Sequence, residues 1–235
     1  NQLFEITPLR AICFTKLSTI LICSWPPSTN VTKNQLRFFD ILWWTLFTNS
    51  VALLLPLINA LYGRHDDPVI LGKTVCMFCA VIQVSFKMIL CRIQRKQFQA
   101  LNFELESFCK YASFKENIVL QRYVDKHKYA HASYTIWCYL TALLVISGPL
   151  YTNQMFPTDA EYPFPTERQP LKSIIYIHQS LAGFQASAGI ALDCQIALLL
   201  WYVAVRFELL AMELSDTSSE RQLDACIKKY NDLIR

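Results

Sequence analysis

Apolar residues fall along this chain in four long blocks separated by stretches rich in charged and polar residues. Residues 38–62, FFDILWWTLFTNSVALLLPLINALY, carry one charged side chain, Asp40, and residues 129–158 carry no Lys, Arg, Asp or Glu. A third block, 69–91, holds Lys73 and Lys87 toward its two ends, where a long aliphatic stem carries the ammonium out to polar surroundings. The fourth, 173–205, has Asp193 as its only charged side chain, with His178 nearer its start. A helix of about 20 mostly apolar residues crosses a bilayer. The pattern therefore predicts four spans, at 38–62, 69–91, 129–151 and 173–205. Buried helices of a soluble all-helical protein are also apolar all round. Four of them in 235 residues would leave too little polar surface to cover them.

The segments between the spans are helical in period as well. Leu9, Ile12, Cys13, Leu17, Ile20 and Leu21 recur at helical spacing, which reads as a helix lying against the inner leaflet and ended by Trp25-Pro26-Pro27. Phe98, Leu101, Leu105, Phe108 and Ala112 form a second stripe, so the helices of spans two and three are expected to extend below the membrane. The fourth block is longer than a bilayer requires and should continue through RFELLAMEL to the polar break SDTSSE. There Ser219 and Gln222 have capping-box spacing, and Leu223, Cys226, Ile227, Tyr230 and Ile234 line one face of a last helix. Residues 152–172 behave differently. Pro163, Pro165 and Pro170 cannot continue a helix, so this stretch is a rigid connector between spans three and four.

Charge fixes an expected orientation. Seventeen Lys and Arg residues fall in segments 1–37, 92–128 and 206–235, against three in 63–68 and 152–172. Basic residues stay cytoplasmic, so the N-terminus and the 92–128 loop are expected inside and the connector outside. The net charge of +4 then reflects topology, and no basic face points to nucleic acid. Apolar residues make up 53% of the chain and charged ones 17%, the balance of a membrane protein. Asn30-Val31-Thr32 is a glycosylation sequon that a cytoplasmic N-terminus would leave unmodified.

Chemistry is sparse. Neither outer loop contains any of the nine cysteines, so no extracellular disulfide framework is expected, and Cys76-x-x-Cys79 lacks a second pair or nearby histidines and reads as packing. His65, His127, His131 and His178 fall on different loops and spans without metal-ligand spacing. No catalytic, metal or cofactor constellation is expected. The chain does not start with Met and its final helix ends with an apolar face in need of partners, so it is expected to be part of a longer protein.

With these residues laid out, the chain resembles the insect odorant receptors from about residue 9 onward. The resemblance rests on SWPPS at 24–28, GPLYTNQMFP at the end of span three, YPFP…QPLKSIIYIHQS leading into span four, and RFELLAMEL…CIKKYNDLIR after it. Members commonly carry a histidine where Tyr230 stands. The resemblance implies an all-α, polytopic membrane bundle of seven spans, of which four are present, with the N-terminus cytoplasmic. It further implies volatile odorants as ligands, and assembly with the odorant co-receptor into a hetero-tetrameric, odorant-gated cation channel in the plasma membrane of a sensory neuron.

In that family the odorant pocket lies in the outer half of the bundle, between spans two, three, four and six. Transferred by orientation, the candidate lining is Thr74, Met77, Phe78 and Val81 on span two. On span three it is Tyr139, Leu143, Ile146, Ser147 and Leu150, and on span four Ile177, Ser180, Leu181 and Phe184. Tyr162 and Phe164 of the connector are expected to form a lid. Asp193, a costly carboxylate in the inner half, is expected to pair with a basic group or meet water.

Other readings are less well supported. Gustatory receptors share the architecture but are marked by a signature in the seventh span. A G-protein-coupled receptor predicts an outside N-terminus and an outer-loop cysteine, a transporter predicts internal repeats, and a four-span scaffold leaves the apolar last helix unexplained.

Overall fold

The computed structural model describes residues 6–27, 31–63 and 67–234. Asn30 of the sequon, Ser28 of SWPPS, Arg64, His65 and Arg235 lie outside the described residues. Among the described residues seven α-helices follow one another: α1 (Pro8–Ser18), α2 (Lys33–Gly63), α3 (Pro68–Ile93), α4 (Arg95–Tyr111), α5 (Phe114–Ile146), α6 (Leu171–Ser215) and α7 (Glu220–Ile234). Among the described residues there is no strand. Helices α2, α3, α5 and α6 are each long and apolar enough to cross a membrane.

Local sequence sets the helix starts. Asp67 caps α3, its carboxylate accepting from the amides of Val69 and Ile70, with Pro68 in the first turn. Ser113 and Glu116 form a reciprocal capping box at the start of α5. That cap lies 16 residues before the uncharged stretch at 129, so α5 stands well clear of the apolar zone. Helix α6, at 45 residues, spans about 67 Å, roughly twice the hydrocarbon core of a bilayer.

Helix α6 is the axis of the bundle, and each of the other six helices packs against it. Its small residues let neighbours approach closely. At Gly189 an added Cβ would lie 2.5 Å from Val84 Cγ2 and 3.6 Å from Val84 Cα, so α3 crosses α6 with no room for a methyl group. Gly189→Ala should lower stability by about 1–3 kcal/mol, and Val84→Ala in the same chain should restore part of the loss. Thermal unfolding of the two variants checks this.

Polar side chains buried on α6 tie it to its neighbours. Gln185 is fully buried, accepts from Asn49 Nδ2 (2.7 Å) and donates to the Leu46 carbonyl (2.8 Å). Lys87 of α3 donates to the Gly189 carbonyl (2.9 Å) and pairs with Asp193 (2.7 Å). Asp40, the one charge of the first apolar block, accepts from Arg92 (2.6 Å) and Arg95 (3.0 Å), clamping α2 to the α3–α4 junction.

The N-terminal segment packs along α5. Gln121 Nε2 donates to the Ile6 carbonyl (3.0 Å), the His131 ring meets Thr15 Oγ1 (3.3 Å), and Tyr139 OH donates to the Ser18 carbonyl (2.5 Å). Residues 6, 15 and 18 thus meet residues 121, 131 and 139, so the segment carrying α1 climbs beside α5 into its uncharged stretch. The face turned inward is Ile12, Thr15 and Ser18, with Thr19 just beyond, while Leu9, Leu17 and Ile20 of the apolar stripe are exposed. Lipid is as apolar as a protein core, so the stripe suits lipid and small hydroxyl residues suit close helix contact. Cys23 closes the turn in the left-handed region (φ 52°), Ile22 and Cys23 enter the core beside Trp43 and Met88, and Ser24 donates to Gln195 (2.6 Å). The backbone then returns, and Gln99 Nε2 donates to the Pro27 carbonyl (2.5 Å). Irregular backbone at such depth is tolerated when protein surrounds it.

Candidate ligand-binding site

At the end of the bundle that carries the 152–172 connector, α3 and α5 stand apart and leave a cavity of about 600 Å³. Leu57 of α2 forms its floor residue, Gly72, Lys73, Thr74, Cys76 and Met77 one wall, and Thr141, Leu144, Val145 and Gly148 the other. The connector supplies the rest through Tyr151, Thr152, Gln154 and Pro157–Asp159. The volume falls within the range of small-molecule sites.

Hydroxyls around the cavity are mostly committed to backbone. Thr74 donates to the Ile70 carbonyl (2.8 Å), Thr141 to Trp137 (2.9 Å) and Thr152 to Gly148 (2.8 Å). Each keeps acceptor capacity but has spent its proton. Thr158 differs: it is buried and its hydroxyl has no partner. Charge enters through Lys73 and through Asp159, whose carboxylate accepts from Gln154 Nε2 (3.2 Å). Among the described residues no three His, Cys, Asp or Glu side chains converge as a metal site would require.

The connector is fastened on both sides of this cavity. Its Glu161 amide donates to the Pro56 carbonyl (3.0 Å) and Asn59 Nδ2 donates to the Glu161 carbonyl (3.2 Å), which pins it to α2. On α6, fully buried Gln179 accepts from the Thr158 amide (3.0 Å) and donates to Tyr162 OH (3.2 Å). Burial raises the Tyr162 phenol above its ordinary pKa, against a smaller lowering by the Gln179 hydrogen bond, so it stays protonated near neutral pH. Tyr162 also packs on Phe164 (ring centroids 5.5 Å apart) and Phe156 (6.5 Å). Neither Tyr162 nor Phe164 lines the cavity; Tyr162 holds the connector segment that does.

Of the residues transferred by resemblance, Thr74 and Met77 line the cavity. Phe78 and Val81 pack one turn deeper with Leu53 and Leu57. On α5 and the turn that follows it the cavity takes residues 141, 144, 145 and 148, a face roughly opposite to that of 139, 143, 146, 147 and 150 if the helical period of about 100° per residue is continued. Tyr139 instead meets Phe184 of α6 (6.4 Å) and Ile146 lies over Gly183, while Leu143 and Leu150 are exposed and Ser147 donates to the Leu144 carbonyl. No α6 residue lines the cavity: Ile177 is exposed, Leu181 packs near Leu192, and Ser180 has a buried hydroxyl without a partner. The i, i+3, i+4, i+7 spacing of 141, 144, 145 and 148 was present in the sequence, but an all-apolar helix offers no polar face to tell one side from another.

The profile of the 7tm Odorant receptor family matches residues 67–235, most of the chain and every helix from α3 onward. The chain belongs to that family. That family is one of receptors and not a class of enzymes. Two solved structures of the insect olfactory receptor OR5 from Machilis hrabei, one of them in complex with eugenol, share its fold with a TM-score of 0.73 at 15% sequence identity. Each comparison covers 96% of this odorant receptor chain and 63% of the other, so the chain spans under two thirds of the length of the receptors it matches. No curated protein matches the sequence.

Proposed function

We propose that this chain binds volatile odorants in the cavity between α2, α3, α5 and the connector, and acts with the odorant co-receptor as part of an odorant-gated cation channel. The cavity itself carries the reading: about 600 Å³, walled by aliphatic and thioether side chains, with a few hydroxyls and one free buried hydroxyl residue at Thr158. Such a site selects by shape and desolvation, with hydrogen bonds adding discrimination. In this reading the basic end of the bundle faces the cytoplasm of a sensory neuron and the connector is outside. Tyr162 and Phe164 then serve the lid by fastening its inner segment to Gln179 of α6.

Gating follows as a population shift: an odorant that binds the open arrangement better than the closed one biases the pore toward opening. Expression of the full-length chain with its co-receptor should give currents evoked by a subset of a broad odorant panel, and co-receptor alone should not give the same subset. A chain that reaches the surface with its co-receptor and adds no odorant response would overturn the proposal.

A further inference from the structure

A second cavity, of about 260 Å³, opens at the other end of the bundle where α1 climbs beside α5. Phe14 of α1, Val124 and Ala132 of α5, and Trp201 of α6 make its walls apolar, and Arg10 and Lys128 stand on it as cations. The contacts of Ile6 with Gln121 and of Thr15 with His131 put Arg10 nearer the charged part of α5 and Phe14 nearer the uncharged part. Lys128 is the last cation of α5 before the uncharged stretch that starts at 129. The cavity thus has a cationic end at the expected membrane boundary and an apolar end directed into the span. Beside it, Leu9, Leu17 and Ile20 expose the apolar flank of α1.

An occupant that satisfies both ends has an anionic head and a hydrocarbon tail. We infer that this cavity holds an anionic glycerophospholipid of the inner leaflet, its headgroup at Arg10 and Lys128 and part of one acyl chain against Phe14, Ala132 and Trp201. Among the described residues, Lys128 pairs with Asp125 at 2.7 Å and Arg122 pairs with Glu208 at 2.7 Å. Of the two cations on the cavity, Arg10 has no carboxylate partner among the described residues, which sets the sign of the headgroup. The occupant is placed in the inner leaflet because anionic lipid is concentrated on the cytoplasmic side, the side proposed for this end. Bound there, the lipid wedges α1 against α5 and α6 and fills space that side chains leave open.

Native mass spectrometry tests this on the full-length receptor released from bilayers of equal parts phosphatidylserine and phosphatidylcholine. The wild-type chain should retain phosphatidylserine preferentially. Arg10→Glu, a change at an exposed position, should lower that retention by about fivefold or more, since each basic residue near an anionic surface contributes about that factor. Ala132→Phe should lower it too by filling the tail end with the charges intact, while Lys115→Glu, remote from the cavity, should leave it unchanged. Equal effects of Arg10→Glu and Lys115→Glu would reduce the finding to general surface electrostatics and overturn the site. So would a wild-type chain with no preference for phosphatidylserine, or an Arg10→Glu chain that keeps it. If Ala132→Phe lowers the melting temperature in phosphatidylcholine alone, the comparison of Arg10→Glu with Lys115→Glu decides.

Discussion

Replacing Gly72 with Ala, Leu and Phe should reduce odorant potency stepwise with side-chain size, while surface expression stays at or above the wild-type level. Gly72 lies on the cavity wall, and a Cβ built there meets no atom within 4 Å, so each added group extends into the space that the ligand would occupy. Folding should not suffer, because Gly in a helix interior is about 1 kcal/mol worse than Ala, and α3 runs from Pro68 to Ile93. The ligand pays for the lost space instead. One methylene of fit in an apolar pocket is worth about 1–3 kcal/mol, so Leu should raise the half-maximal odorant concentration by at least about tenfold and Phe by more. Odorant-evoked current and surface labelling, measured on the same cells, separate the two effects. Unchanged dose response in all three variants at equal expression would remove this cavity as the odorant site and leave the family assignment standing.

Lys87→Met should be the most damaging single substitution in the bundle, and adding Asp193→Asn should rescue most of the loss. In the wild-type chain Lys87 Nζ sits between Asp193 Oδ1 (2.7 Å) and the Gly189 carbonyl (2.9 Å), joining α3 to α6. Removing the cation strands a carboxylate in an apolar block where a charge costs about 2.5–3.5 kcal/mol. That is a large share of the roughly 5–15 kcal/mol that holds a domain together. Asp193→Asn alone should be milder, since Lys87 keeps the Gly189 carbonyl and its stem reaches toward polar headgroups. Breaking a paired charge costs more than removing both members, and the double variant isolates that asymmetry. Surface biotinylation and thermal unfolding in detergent provide the readout. A double variant no better than Lys87→Met would show that the contact works by packing and not by charge.

Much of the architecture was legible because the bilayer imposes it. Runs without charge at 38–62 and 129–158, and the prolines after residue 162, can be read without knowing any contact, since a span must be apolar and a connector need not be. The stripe on α4 was legible for the same reason: Leu105 is buried and Phe98, Phe108 and Ala112 pack on the core, although Leu101 is exposed. On α1 most of the stripe faces away from the bundle. Leu17 and Ile20 are exposed and the hydroxyl-bearing Thr15 and Ser18 are buried, because close packing favours small side chains that bond their own helix. Within the spans, hydrophobicity carries no facing information. Tyr139 and Leu144 looked equivalent, yet Tyr139 is committed to Ser18 and Phe184 while Leu144 lines the cavity.

The sequence by itself determined the class of this protein: an all-helical membrane chain with four spans, a proline-rich connector and the residue motifs of an odorant receptor. Those features depend on composition along the chain and on fixed periods, which one dimension records. Only the tertiary structure decided which residues surround the cavity, that Gln179 holds the connector over it, that Lys87 answers Asp193, and that the N-terminal helix rises beside α5. Each of these joins residues 15 or more positions apart, and most join residues more than 100 apart, on helices whose rotation about their own axes is set by close fit. Periodicity gives a helix its length and its two ends. The neighbour that each side meets is fixed only when the helices pack.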